Sequence, residues 1–253
     1  MAGDGVVELG ARPGAGGPTV AGMDLSGART LVVGATGVLG AALTDALRDA
    51  GATLALAGRS APAGQGDEPT FTLDALDLER CAAVVDEAAD ALGGLDLLVV
   101  AIGVAGFGDE AETDVVTEHL LTVNAQAPMT LGRAALRRFP PKDDGGGTVA
   151  MISAILADVP TPGMATYSAS KAALSAWLTA TRPAARRQGV RVLDVRPPHI
   201  ETGLADRAVA GTLPTGISAG SDVGALVGHV LDALRDDRRA VTFDLRSGEY
   251  AVS

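Results

Sequence analysis

Two tyrosines and two lysines occur in the 253-residue chain, and one of each, Tyr167 and Lys171, stand four positions apart. The segment Tyr167-Ser168-Ala169-Ser170-Lys171, followed by AALSAWLTATR, is compatible with a helix. On a helix, positions i and i+4 share a face, one turn apart. A phenol and an ammonium held this way form a proton-transfer device. A free phenol has a pKa of about 10, and a neighbouring cation favours the phenolate that chemistry near neutrality needs. The same pair also reads as a packed tyrosine and a solvated lysine, so its meaning depends on what the chain places around it.

A second group of residues is suited to binding. Gly34, Gly37 and Gly40 in GATGVLG are spaced G-x-x-G-x-x-G, with Thr36, Val38 and Leu39 between them. Such a turn, after a strand and opening a helix, lets backbone N–H groups approach a pyrophosphate. A purely structural turn is the other reading. Dinucleotide sites that prefer NAD carry an acid at the end of the second strand for the ribose 2′-hydroxyl. Here that run is Ala57-Gly58-Arg59-Ser60. The guanidinium fork of Arg59 suits a 2′-phosphate, so NADP(H) is the cofactor expected, with NAD(H) the alternative.

These residues need elements to hold them. Apolar runs at 29–33, 53–57 and 95–101, with others at 70–76, 148–153, 190–196 and 240–245, read as strands. Helical stretches at 41–51, 79–92, 112–139 and 222–236, together with the Tyr/Lys helix, alternate with them. Strands apolar on both faces, alternating with helices, indicate a parallel sheet covered on both sides. The expected fold is α/β: one doubly wound domain over 23–253 with about seven strands. Residues 1–22, crowded with Gly, Ala and Pro, read as a disordered tail.

Composition excludes several function classes. A net charge of −11 leaves no basic stripe for nucleic acid. No apolar run has the length of a membrane span, and the N-terminus lacks a basic region followed by an apolar one. The single cysteine, Cys81, cannot form an internal disulfide, which fits a cytoplasmic setting. His119, His199 and His229 share no metal-ligand spacing, so no metal site is expected.

Taken together, these motifs resemble the short-chain dehydrogenase/reductase family, whose fold is the Rossmann fold. The likeness covers almost all of 27–245. It rests on the glycine turn, Asn124 in Leu121-Thr122-Val123-Asn124, the Tyr167/Lys171 pair and Pro197-Pro198-His199-Ile200-Glu201-Thr202, in the family's order. The resemblance implies that Tyr167 is the general acid/base and that Lys171 binds the nicotinamide ribose and lowers the tyrosine pKa. It implies that Asn124 holds a backbone kink and a water of the proton relay. Asp77, followed by Leu78, matches the acid that reads the adenine ring. Gly103 lines the cofactor through its backbone, and Thr202 and the Ile200 backbone hold the carboxamide or phosphates. The substrate would be a small carbonyl or alcohol, and the assembly a homodimer or homotetramer.

The chain departs from the family pattern at three places. Val38 occupies the middle glycine of the commonest turn, and the observed spacing also occurs in epimerases and dehydratases of the extended branch. The family's Asn-Asn-Ala-Gly is Val100-Ala101-Ile102-Gly103 here. The catalytic serine normally stands thirteen residues before the tyrosine, and that position is Ala154, with Ser153 one earlier. A one-residue shift turns a strand side chain to the other face, unless a bulge re-aims it. Ser153 is the expected donor to the substrate oxygen if such a bulge exists. Loss of that donor would fit a non-catalytic NADP(H) sensor. By position, 203–219 is the expected substrate lid.

Overall fold

The computed structural model describes residues 22–217 and 221–253. Residues 1–21 of the expected tail and residues 218–219 of the expected lid therefore lie outside the described residues.

Eight strands form one sheet in the order β3-β2-β1-β4-β5-β6-β7-β8. They are β1 (Arg29–Val33), β2 (Thr53–Gly58), β3 (Thr70–Thr72), β4 (Leu97–Val100), β5 (Gly147–Ile152), β6 (Val190–Arg196), β7 (Ala240–Asp244) and β8 (Glu249–Val252). The first seven run parallel, and β8 pairs antiparallel with β7. The helices are α1 (Val38–Asp49), α2 (Leu78–Leu92), α3 (Asp114–Leu121), α4 (Ala127–Arg138), α5 (Ala165–Arg187) and α6 (Val223–Arg235).

Apart from the half-buried Arg29 that opens β1, every residue of β1, β4 and β5 is buried, which is why these strands read as mainly apolar runs. Their side chains alternate between two cores. Leu31 and Val33 of β1 join one with α2, α4 and α5, while Val32 faces the other with α1 and α6. Leu, Val and Ala make up most of both cores. Cys81 is buried in the first core, where burial pushes its thiol up to about 11.

Three expectations change. The eighth strand was not foreseen. It follows a turn in which Asp244 accepts hydrogen bonds from the Arg246 and Ser247 N–H groups and Gly248 adopts φ +73°. The helix expected over 112–139 is α3 and α4 joined by a π-helical turn at Thr122–Gln126, which contains Asn124. The third strand stops at Thr72, because the chain then turns toward the α2 cap at Asp77.

The strand order reverses at β1: the chain goes outward through β2 and β3, then returns to place β4 on its other side. Ligands of open α/β sheets bind at such a switch point, beyond the carboxyl ends of the strands. The loops after β1, β2, β4, β5 and β6 all meet there.

Candidate active site

A cavity of about 1020 Å³ opens over those carboxyl ends. The glycine turn forms one wall. Gly34 has φ +94°, and a Cβ there would stand 2.6 Å from the Ala101 carbonyl oxygen. A Cβ on Gly40 would stand 2.0 Å from the Gly34 carbonyl oxygen, so the first turn of α1 closes directly on the loop. Thr36, Gly37, Val38 and Leu39 border the cavity beside them, at the α1 N-terminus. Arg59, exposed at the end of β2, also borders it and bonds to no other described residue.

Tyr167 and Lys171 sit on one face of α5 at the cavity floor. Both are buried: Tyr167 is 8% and Lys171 3% exposed. Burial pushes the Tyr167 phenol up to about 12. It pushes the Lys171 ammonium down to about 8, a shift opposed by the Asp194 carboxylate. The phenol is therefore raised by desolvation, and the expected lowering by Lys171 is not found. Lys171 Nζ donates to the Ile152 carbonyl at 3.2 Å. A Cβ on Gly103 would come within 3.2 Å of that nitrogen, so glycine keeps the ammonium close to the cavity.

Asn124 does not border the cavity; it is wholly buried behind it. Its amide accepts from the Val104 N–H and donates to the Val104 carbonyl, both at 2.9 Å, and donates to Ser170 Oγ at 3.0 Å. Ser170 in turn donates to the Tyr167 carbonyl at 2.7 Å. The π-helical turn thus ties the loop after β4 to the helix that carries the tyrosine.

Ser153 borders the cavity, but its hydroxyl is committed elsewhere. It donates to Asp194 Oδ1 at 2.5 Å. No bulge re-aims it: the β5–β6 ladder continues past the strand end, through Ser153 N–H to the Val195 carbonyl and Ile155 N–H to the Pro197 carbonyl. A hydroxyl has one proton to give, and here both acceptors within reach of Ser153 Oγ, Asp194 Oδ1 and the Val195 carbonyl at 3.4 Å, lie on β6. Ala154, one residue on, borders the cavity with a methyl group. The expectation of Ser153 as donor is corrected on this ground.

Asp77 is corrected as well. Its carboxylate accepts from the Arg80 N–H and caps α2, and neither it nor Leu78 borders the cavity. Asp74, three residues earlier, does border it. An acid that precedes a helical run by one residue is an N-cap signal, and that signal was present in Asp77-Leu78-Glu79-Arg80. Ile200 and Thr202 border the cavity after β6, with the Thr202 N–H bonded to the Ile200 carbonyl at 2.8 Å.

Asp194 was missed altogether. It is wholly buried on β6 and accepts from Ser153 Oγ, from Ser175 Oγ at 2.6 Å and from Arg196 Nε at 2.9 Å. A buried carboxylate needs such partners. The available signal was an acid inside the otherwise apolar Val192-Leu193-Asp194-Val195.

The segment from 203 folds over the cavity. Val209 N–H donates to the Ala105 carbonyl at 2.8 Å, and Phe107 N–H to the Ala210 carbonyl at 3.0 Å. The expected lid is thus anchored to the loop after β4. Among the described residues, no cluster of His, Cys, Asp and Glu is arranged to hold a metal, and no helix is long and apolar enough to cross a membrane.

Comparison with known proteins agrees with this fold. The family model described as short chain dehydrogenase matches residues 28–212. The mouse protein named dehydrogenase/reductase SDR family member 7B is 27% identical over 238 residues, 86% of this chain and 73% of its own length. A hydroxysteroid 11-beta-dehydrogenase 1-like protein of Macaca fascicularis is 32% identical over 206 residues, 77% of this chain and 70% of its own. A short chain dehydrogenase of Burkholderia cenocepacia, solved in complex with NADP, superimposes with a TM-score of 0.72 at 27% identity, covering 89% of this chain and 91% of that one.

Proposed function

Because the chain belongs to the short-chain dehydrogenase family, we propose that it transfers a hydride between NADP(H) and a carbonyl or alcohol, with Tyr167 as the general acid/base. The observation that carries this reading is the meeting of Tyr167 and Lys171 with the glycine turn and Arg59 around one cavity. The residues fit a dinucleotide: Gly34 and Gly40 leave no room for a Cβ, and Arg59 stands unpaired at the cavity edge among the described residues. When bound, the nicotinamide supplies the hydride chemistry.

The chain's own residues divide the remaining work. The α1 N-terminus and the turn N–H groups hold the pyrophosphate. Arg59 pairs with the 2′-phosphate, and Asp74 takes the adenine-side position expected of Asp77. Lys171 uses one of its three donors on the Ile152 carbonyl, which leaves two for the ribose. Tyr167 gives its proton to the substrate oxygen, while the apolar surroundings that raise its pKa keep it protonated and exclude water. Asn124 and Ser170 hold the backbone of Tyr167 in place.

One observation favours a second reading, a dinucleotide binder without turnover: Ala154 has no hydroxyl, and that of Ser153 is spent on Asp194. Titration with NADP(H) and NAD(H), followed by 340 nm assays with carbonyl compounds, separates the two. We expect NADPH preference that is lost in Arg59→Ala. Turnover should fall by about 100-fold or more in Tyr167→Phe, with cofactor affinity retained. Tight binding with no turnover for any carbonyl, unaltered in Tyr167→Phe, would establish the binder instead. Preference of the unsubstituted chain for NAD(H) would sink the assignment of Arg59.

A further inference from the structure

The substrate end of the cavity has a chemistry of its own. Tyr167 belongs to a separate apolar cluster, distinct from the two cores that flank the sheet, with Phe107, Met164, Leu156, Val209 and Leu213 among its members. These side chains come from the loops after β4, β5 and β6, and all of them border the cavity. Phe107 meets the Tyr167 ring edge-on, with centroids 6.3 Å apart.

Charged side chains also border the cavity, but each is accounted for elsewhere. Arg59 and Asp74 follow β2 and β3, on the far side of β1. Lys171 is bonded to the Ile152 carbonyl, and Arg207 is exposed and donates to the Thr202 carbonyl at 3.2 Å. At the position thirteen residues before the tyrosine stands the methyl group of Ala154, and Ser153 turns its hydroxyl to Asp194. Thr161 donates to the Val159 carbonyl and His199 Nε2 lies 3.2 Å from the Glu201 carboxylate, which leaves Tyr167, Thr202 and, from α3, His119 as the uncommitted polar side chains that α3, α5 and the segments after β5 and β6 bring to the cavity among the described residues.

Resting on the oxidoreductase reading, we propose that the substrate is a bulky apolar ketone, or its secondary alcohol, whose single polar group is the oxygen that meets Tyr167. A polyol or a carboxylate would bring several polar groups into this chamber, and most would find no partner there. An alicyclic skeleton instead exchanges water for contact with the aliphatic wall and with the Phe107 ring. The anchored segment that carries Val209 and Leu213 forms part of that wall, so the specificity lies in a loop and not in the sheet.

The test compares 2-decalone with 5-ketogluconate as oxidants of NADPH, using the full chain. We expect kcat/KM for the decalone to exceed that for the keto acid by about 100-fold or more. Leu213→Asp, at a half-buried position, should raise KM for decalone by about tenfold or more with a smaller change in kcat. A melting curve and the NADPH affinity show whether that variant is folded. Equal or better use of the keto acid would overturn the proposal and leave the oxidoreductase reading standing. If neither compound oxidises NADPH, calorimetry decides. Saturable decalone binding to the NADP-loaded protein upholds the apolar chamber while counting against turnover, and no binding overturns it.

Discussion

Ala154 stands where the family places its catalytic serine, and its methyl group faces the cavity. A serine introduced there would carry a hydroxyl that Asp194 does not already hold, since Ser153 and Ser175 occupy both carboxylate oxygens. Ala154→Ser is therefore expected to raise carbonyl reduction by on the order of tenfold or more, read as kcat at saturating NADPH. An unchanged or lower kcat would mean that Tyr167 needs no second donor. Lys171 sets a second expectation. Burial places its pKa at about 8, so it is cationic below that pH and neutral above it. Tyr167, at about 12, keeps its proton across the same range. The kcat/KM for NADPH, which reports the free protein, should therefore decline as pH rises through about 8. A profile flat to pH 9.5 would remove Lys171 as the charge that matters.

Among the elements, the β1–α1 turn makes the sharpest demand on sequence. Two of its glycines look alike in the motif but differ in the structure. A Cβ on Gly40 meets the Gly34 carbonyl oxygen at 2.0 Å, whereas one on Gly37, where φ is −82°, meets nothing closer than 3.4 Å. Gly40→Ala should cost about 1–3 kcal/mol of stability by overpacking and weaken NADPH binding with it. Gly37→Ala should leave thermal stability within roughly 0.5 kcal/mol of the unsubstituted chain. Equal losses in both would show that the loop relaxes as a unit. The strand at 190–196 was legible to the residue because Gly189 and Pro197 bound it and Val190, Val192, Leu193 and Val195 give it apolar residues on both faces. The π-helical turn was not, since Thr122-Val123-Asn124-Ala125-Gln126 continues a helical pattern and only its packing against Val104 and Ser170 explains the extra residue.

Across the whole molecule, the site is a meeting of distant segments. The glycine turn, Arg59, the loop after β4, the end of β5, α5 and the segment after β6 contribute to a single cavity, because the strand order reverses at β1. Motif residues at short spacing were readable from the chain alone: the turn at Gly34, Gly37 and Gly40, and Tyr167 with Lys171. Helical and strand periodicity puts such residues on a common face without reference to anything else. Decisions between neighbouring residues were not readable. Asp77 rather than Asp74 was expected to face the cofactor, and the choice fell to which of them α2 uses as its cap. Ser153 was expected to face the substrate, and the choice fell to Asp194, forty-one positions away, which holds its hydroxyl. Local order along one element is written in periodicity and turn chemistry, so the sequence by itself determined the α/β layering, the glycine turn and the Tyr/Lys pair. Hydrogen bonds are exclusive, and their partners here lie on different strands and loops. Only the tertiary structure could therefore decide which acid borders the cavity and where the Ser153 hydroxyl is held, and surround Tyr167 with apolar side chains.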